Sequence, residues 1–197
     1  MPTLQVRPAI LDDATAISAL FRARISTWQR INAQGQVEDV PYEALTIYER
    51  WLHGGPWMSI ETAALQLSHL LLGAGLPLVA LADNRVIGYS EAYLGSELEP
   101  FGEHLHIAHF IASAREAEVH DALMTAWREL AANRRCPRLT AVGVPTDVEA
   151  KTFYERHGFQ AIAQFQRLSL PARTGQVFFR VTEHPDANPA PMQGWMM

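Results

Sequence analysis

Apolar and polar positions along this chain change their spacing several times, and each change marks an element. Leu4-Gln5-Val6-Arg7 alternates with the period of two that suits a strand. Asp12-Asp13 then stand ahead of Ile17, Leu20, Phe21 and Ile25, which are spaced as one face of a helix that the aspartates would cap. From Ser26 to Met58 the chain is aromatic, with Trp28, Tyr42, Tyr48, Trp51 and Trp57, and a short helix is predicted near Glu43 to Leu52, ahead of the breaker His53-Gly54-Gly55-Pro56. Ser59 has the chemistry to cap a further helix, with Ile60, Ala63, Ala64, Leu67, Leu70 and Leu71 as one stripe and Gly73 as its stop.

Beyond Pro77 the period returns to two. Leu78-Val79-Ala80-Leu81, the polar pair Asp83-Asn84, and Val86-Ile87-Gly88-Tyr89 predict two strands joined by a tight hairpin. His104 to Ala112 reads as another strand, Glu116 to Ala132 as a helix with Val119, Leu123, Trp127 and Leu130 on one side, and Leu139 to Val144 as a strand. Asp147 opens a helix through Arg156 that Gly158 ends. Phe159 to Leu170 is expected to be extended, and Val177 to Val181 has the composition of a last strand. The expected organisation is one domain over 1–170 and a C-terminal strand and tail over 171–197. Strands and helices in this order make an α+β arrangement, a mixed and mostly antiparallel sheet flanked by helices.

Composition and charge then remove function classes. With 197 residues and 48% hydrophobic content the chain can build a substantial core. Its longest apolar stretch, Leu70 to Ala82, is interrupted by Gly73, Gly75 and Pro77 and falls short of the roughly 20 residues of a membrane helix. Met1 to Arg7 has no secretory pattern, so the cytoplasm is the expected location. A single cysteine, Cys136, excludes an internal disulfide and a multi-thiolate metal site. A net charge of −5 with scattered Lys and Arg argues against nucleic acid or an anionic membrane as main partner. In the tail, Trp195 and the methionines of Met192 to Met197 would be exposed on an isolated chain, so a homodimer or a second domain is expected to contact it.

The segment Ala150-Lys151-Thr152-Phe153-Tyr154-Glu155-Arg156-His157-Gly158-Phe159 resembles the A-x-x-F-Y-E-x-x-G-F signature that closes the core of the GNAT superfamily of N-acetyltransferases. Ile87-Gly88-Tyr89 after a polar turn, and Val6-Arg7-Pro8 before an Asp-led helix, agree with that resemblance, which spans roughly residues 3–170. It implies the GNAT fold and transfer of an acetyl group from acetyl-CoA to an amine of a small molecule or peptide. It also implies that the strand ending Phe110-Ile111-Ala112 aligns the cofactor, and that the following helix offers its N-terminal N–H groups to the pyrophosphate. Tyr154 takes the position of the general acid that protonates the leaving thiolate.

The pyrophosphate loop departs from the family's Gln/Arg-x-x-Gly-x-Gly/Ala. It reads Arg115-Glu116-Ala117-Glu118-Val119-His120, so only the arginine is kept, and Glu118 and His120 add bulk and, at Glu118, a like charge. Asp147 stands where the family commonly has Asn, near the expected cofactor path. The departures predict weakened acetyl-CoA binding, and leave open a non-catalytic GNAT-fold domain that recognises a ligand or partner. For the general base, Glu103 at the entry of the fourth strand is the candidate and Glu91 the rival. His104 and His106 share one face of that strand and strict alternation sends His109 to the other, where it would tune the acceptor pocket. With no carboxylate or thiol pattern beside these histidines, no metal is expected.

Overall fold

The computed structural model describes residues 4–143 and 147–163. β1 (Leu4–Pro8) runs through a tight turn into α1 (Ala14–Arg22), followed by a small hairpin of β2 (Gln29–Ile31) and β3 (Val37–Asp39) and then by α2 (Ile47–Leu52) and α3 (Ile60–His69). Next come β4 (Leu76–Ala82), β5 (Arg85–Ser96), β6 (Glu103–Ala112), α4 (Glu116–Asn133), β7 (Leu139–Ala141) and α5 (Val148–Arg156). Among the described residues five strands form one sheet in the order β1-β4-β5-β6-β7, antiparallel throughout except that β7 lies parallel to β6. This is the α+β architecture that the order of elements predicts.

Local chemistry accounts for most of the boundaries. Asp83 and Asn84 both sit at left-handed φ (50° and 59°), the two-residue turn whose twist matches the β4–β5 hairpin. Ser59 accepts the Thr62 N–H and caps α3; Thr46 and Glu49 form a reciprocal capping box on α2. The β2–β3 hairpin carries too few apolar residues for periodicity to reveal it. Asp13 does not cap α1: its carboxylate takes two hydrogen bonds from Arg7 (2.7 and 2.9 Å) and one from the Ile10 N–H (2.8 Å), tying β1 to the start of the helix. Phe159 to Ala163 forms no strand, and the rest of the expected extended segment, Val177–Val181 and the 171–197 tail lie outside the described residues.

The sheet separates two apolar layers. On one side Ile17, Phe21, Trp57 and Leu67 pack on Val79, Leu81, Tyr89 and Ile111; on the other Val119, Leu123, Met124 and Trp127 of α4 pack on Leu78, Ala80, Leu105 and Ile107. Gly88 permits α4 to come this close, because a Cβ there would stand 2.2 Å from Val119 Cγ1. The aromatic segment divides between roles. Trp57 is buried and stacks on Phe21, Trp28 meets Tyr42 and His53 edge-on, and Tyr48 and Trp51 remain exposed.

One irregularity changes which residues share a face. The β5–β6 register moves from Glu91↔His109 to Ala92↔Ile107, leaving Ala108 as an extra residue in β6. Directly opposed residues of antiparallel strands project to the same side. His104, His106 and His109, opposite Gly95, Tyr93 and Glu91, therefore all share the face of α1 and α3. The expectation that His109 lies opposite the other two is corrected, because the bulge resets the alternation.

The Arg7–Asp13 contact has a consequence for acid stability. Burial alone would raise the Asp13 carboxyl, but the Arg7 hydrogen bonds, the Ile10 N–H and the Arg7 charge outweigh it and hold the pKa below the ordinary aspartate value. A depressed carboxyl contributes stability that is present above its unfolded pKa, about 3.9, and lost as pH falls through the folded value. Arg7→Gln is expected to lower Tm at pH 7, with the difference from wild type closing as pH falls through the depressed Asp13 value; thermal melts from neutral to acid pH check it.

Candidate active site

The bulge also marks where β7 leaves β6. The pairing covers only Leu105↔Leu139, His106↔Thr140 and Ile107↔Ala141, while β6 continues to Ala112. Leu105 N–H still points to the β7 side, donating to Arg138 O at 2.9 Å, whereas Ser113 N–H points to β5, donating to Ile87 O. Ile111 and His109, in phase with Ser113, also direct their N–H groups to β5, so those of Phe110 and Ala112 face away from it, along the edge beyond the end of β7. Among the described residues no strand pairs with this edge.

Buried side chains hold the bulge in place. Trp127 Nε1 of α4 donates to Ser90 Oγ at 2.8 Å, and Ser90 Oγ donates to the His109 carbonyl at 2.6 Å. Both Trp127 and Ser90 are fully buried, so this short chain couples α4 to the bend in β6.

At the end of the edge, α4 begins at Arg115, which adopts a left-handed backbone (φ 51°) and provides no side-chain cap. Val119 N–H is bonded to the Arg115 carbonyl, and the N–H groups of the preceding first turn have no partner within the helix. The Arg115 guanidinium bonds the Glu118 carboxylate and holds its pKa below the usual range. His120 turns inward, its ring 5.6 Å from Phe110 and 5.7 Å from Phe153. Among the described residues its buried Nε2 has no hydrogen-bond partner, and burial lowers its pKa below the ordinary histidine value. Val119 is buried against Gly88, Phe110 and Ala112 pack on the α4 side, and Ile111 packs on the α1 side.

Tyr154 approaches from α5. Asp147 caps this helix by accepting the Ala150 N–H at 2.9 Å, which explains an acid at that position; Gly158, at φ 76°, ends it. Asp121 of α4 receives Arg156 at 2.5 Å and His157 at 2.8 Å, so the end of α5 is tied across α4. Tyr154 packs between Phe153 and Phe159 and lines a cleft with His106 and Thr140. Burial, with Asp147 adding to it, raises its pKa and keeps the phenol protonated.

The two candidate carboxylates have different surroundings. Glu103 is exposed at the first position of β6, opposite Ser96, at the end of the strand remote from Ala112. Glu91 is 3% exposed; it accepts the Tyr89 hydroxyl at 2.5 Å and the Tyr93 hydroxyl at 2.9 Å, and stands 3.6 Å from His109 Nε2. Burial first, and the Glu91 charge second, raise the pKa of both phenols, so they act as donors. The signal was present as Tyr89-Glu91-Tyr93, alternate residues on one strand face, and the partnership with His109 needed the bulge. His106 bonds Thr140 Oγ1 at 3.1 Å across the β6–β7 junction, and its pKa is lowered, mainly by burial and further by His104. Among the described residues no cluster of His, Cys, Asp and Glu is suited to a metal, and no helix is long and apolar enough to cross a membrane.

A mostly antiparallel sheet whose fourth and fifth strands part beside a helix N-terminus is the GNAT acetyltransferase fold, and the chain adopts that fold. Many solved structures share it. An aminoglycoside N-acetyltransferase in complex with CoA is 12% identical at a TM-score of 0.59, covering 88% of this chain and 97% of that one. A ribosomal-protein-alanine N-acetyltransferase from Brucella melitensis biovar Abortus is 16% identical at 0.56, with 86% and 100% covered. A transcriptional regulator from Bacillus halodurans is 15% identical at 0.60, with 85% and 100% covered. No protein-family model matches the sequence, and no curated protein matches it.

The brace on the bulge can be tested by itself. Ser90→Ala leaves the buried Trp127 N–H and the His109 carbonyl without their partner. It is expected to cost about 1–3 kcal/mol, read as a lower denaturation midpoint at unchanged m.

Proposed function

We propose that the chain is an N-acetyltransferase that moves an acetyl group from acetyl-CoA to the amine of a small molecule or peptide, with Tyr154 as general acid. The observation that carries this reading is the parting of β6 and β7 at the Ala108 bulge. It leaves the Phe110 and Ala112 N–H groups in line with the uncapped start of α4, and Tyr154 on α5 beside the opening.

The residues present suit such a cofactor. Backbone N–H groups at a helix start, backed by the helix dipole, favour a pyrophosphate, and Arg115 stands at that start. Glu118 is the opposing element, but its carboxylate is turned onto Arg115, so the two side chains largely cancel each other's charge. When bound, acetyl-CoA supplies an acetyl thioester with a thiolate leaving group. Phe110 and Ala112 would orient the pantetheine arm by strand-like hydrogen bonds. The Tyr154 phenol, protonated over the physiological range, donates to the sulfur as it departs.

A second reading, a GNAT-fold domain that binds a ligand or partner without catalysis, is supported by the Arg115–Glu118 contact, because the one loop arginine shared with the family pattern is already engaged. Calorimetric titration with acetyl-CoA separates the two. On the enzymatic reading the wild type binds, and Glu118→Gln, which removes a like charge beside the pyrophosphate path, binds several-fold more tightly. No binding by either protein favours the second reading.

For catalysis, Tyr154→Phe keeps the packing against Phe153 and Phe159 and removes the proton. It is expected to lower kcat by about 10²–10⁴-fold with little change in acetyl-CoA affinity, measured as thiol release. Unchanged kcat would return Tyr154 to a packing role.

A further inference from the structure

We infer that His109, held by the buried carboxylate of Glu91, is the group that takes the proton from the acceptor amine. The inference rests on the transferase reading above and adds to it a base and the side of the sheet from which the amine arrives. His109 follows the bulge directly, and its backbone belongs to the stretch of β6 that extends beyond β7. Its side chain stands on the α1–α3 face, whereas the Phe153–Tyr154 pair packs with the α4 layer on the other. A base on one face and an acid on the other suit a displacement in which nitrogen enters from one side of the thioester and sulfur leaves toward the other.

The surroundings of His109 are those of a positioned base. The imidazole is 43% exposed, so an amine can reach it, while the carboxylate behind it is 3% exposed. Phe21 of α1 meets the ring edge-on at 5.3 Å and an interplanar angle of 90°. Nε2 is turned to Glu91 at 3.6 Å, and in the tautomer with the proton on Nε2 the lone pair that takes the substrate's proton is on Nδ1. Glu91 is itself fixed by two phenols, with Tyr89 on one oxygen and Tyr93 on the other. The ionisable groups on this face are Glu91, Tyr89 and Tyr93 of β5 and His104 and His106 of β6, with Glu97 beside His104 at the far end of the strand; α1 contributes the uncharged Phe21, and Gln66 of α3 reaches Tyr93. Glu91 is the acid closest to the ring, and its contact is electrostatic, which identifies it as a positioning residue.

The chemistry balances without a further reactant. His109 takes one proton from the ammonium form of the acceptor, and the neutral nitrogen then bonds to the carbonyl carbon. The C–S bond breaks with its electron pair on sulfur, which receives the Tyr154 proton. The second proton lost from nitrogen restores the phenol through solvent, and His109 returns its own to bulk water. One acetyl group is transferred and one proton released.

The test measures thiol release from acetyl-CoA with benzylamine, putrescine and an alanyl dipeptide amide as acceptors, from pH 6 to 10, for wild type, His109→Gln and Glu91→Gln. His109→Gln is expected to lose about 10²–10⁴-fold in kcat/KM for the amine at neutral pH. Much of that loss should be recovered near pH 10, where the amine is already largely neutral, and acetyl-CoA affinity should be unaltered. Glu91→Gln, which removes the carboxylate behind the imidazole, is expected to lower kcat for the amine less than His109→Gln does, with acetyl-CoA affinity unaltered. Should Glu91→Gln fail to fold, His109→Gln alone decides, because the His109 side chain is half-exposed and outside the core. Full activity of His109→Gln, or an equal loss at every pH, overturns the proposal while leaving the transferase reading in place. Absence of thiol release by the wild type with all three amines overturns the transferase reading itself.

Discussion

The extra residue at Ala108 is the constraint on which the rest of the site depends. A strand in unbroken register would send His109 to the face opposite His106, and would keep β6 regular alongside β7. One inserted residue rotates the remaining part of β6, places His109 over Glu91, and coincides with the last paired residue, Ile107. A bulge is stable only where something accepts the backbone groups that it displaces. Ser90 accepts from Trp127 and donates to the His109 carbonyl, so a helix on one face and a strand bend at the sheet's edge are held by the same buried hydroxyl.

Charge is distributed with the same economy. Glu118 is exposed and is neutralised by a neighbour three residues away, a contact that water and salt screen readily. Glu91 is excluded from water and is satisfied by two phenols, so its field acts on whatever stands nearby, chiefly the imidazole of His109. Arg7 and Asp13 form a third case, a partly buried pair that joins the first strand to the first helix. All three carboxylates looked alike in the sequence. Their differing burial separates an exposed contact, a tie within the fold and the buried acid of the proposed base site.

The helices and strands themselves were readable because short-range chemistry specifies them. Asp83-Asn84 can make the mirror-image turn, Ser59 and Asp147 can cap, Gly158 can end a helix at positive φ, and the apolar stripe of Val119, Leu123 and Trp127 requires a sheet beneath it. The motif around Phe153 to Phe159 carried the fold for the same reason, as a helix, its glycine stop and the aromatic residue that packs beneath it. The small β2–β3 hairpin was not legible, since three-residue strands with alternate exposure leave no periodic trace.

By itself, then, the sequence determined the element order, the α+β class, the hairpin turn, the start and end of the last helix and the presence of Tyr154 upon it. Tertiary structure decided which side chains meet. The bulge, the burial of Glu91 between Tyr89 and Tyr93, the turning of Glu118 onto Arg115 and the inward packing of His120 each depend on contacts between residues brought together by strand pairing or helix packing. Spacing along a chain encodes local conformation, because turns, caps and amphipathic faces are satisfied within a few residues. A one-residue change of register has no such local signature; it is set by the partner strand and the side chains that receive the displaced backbone groups, and it exists only once the sheet has formed.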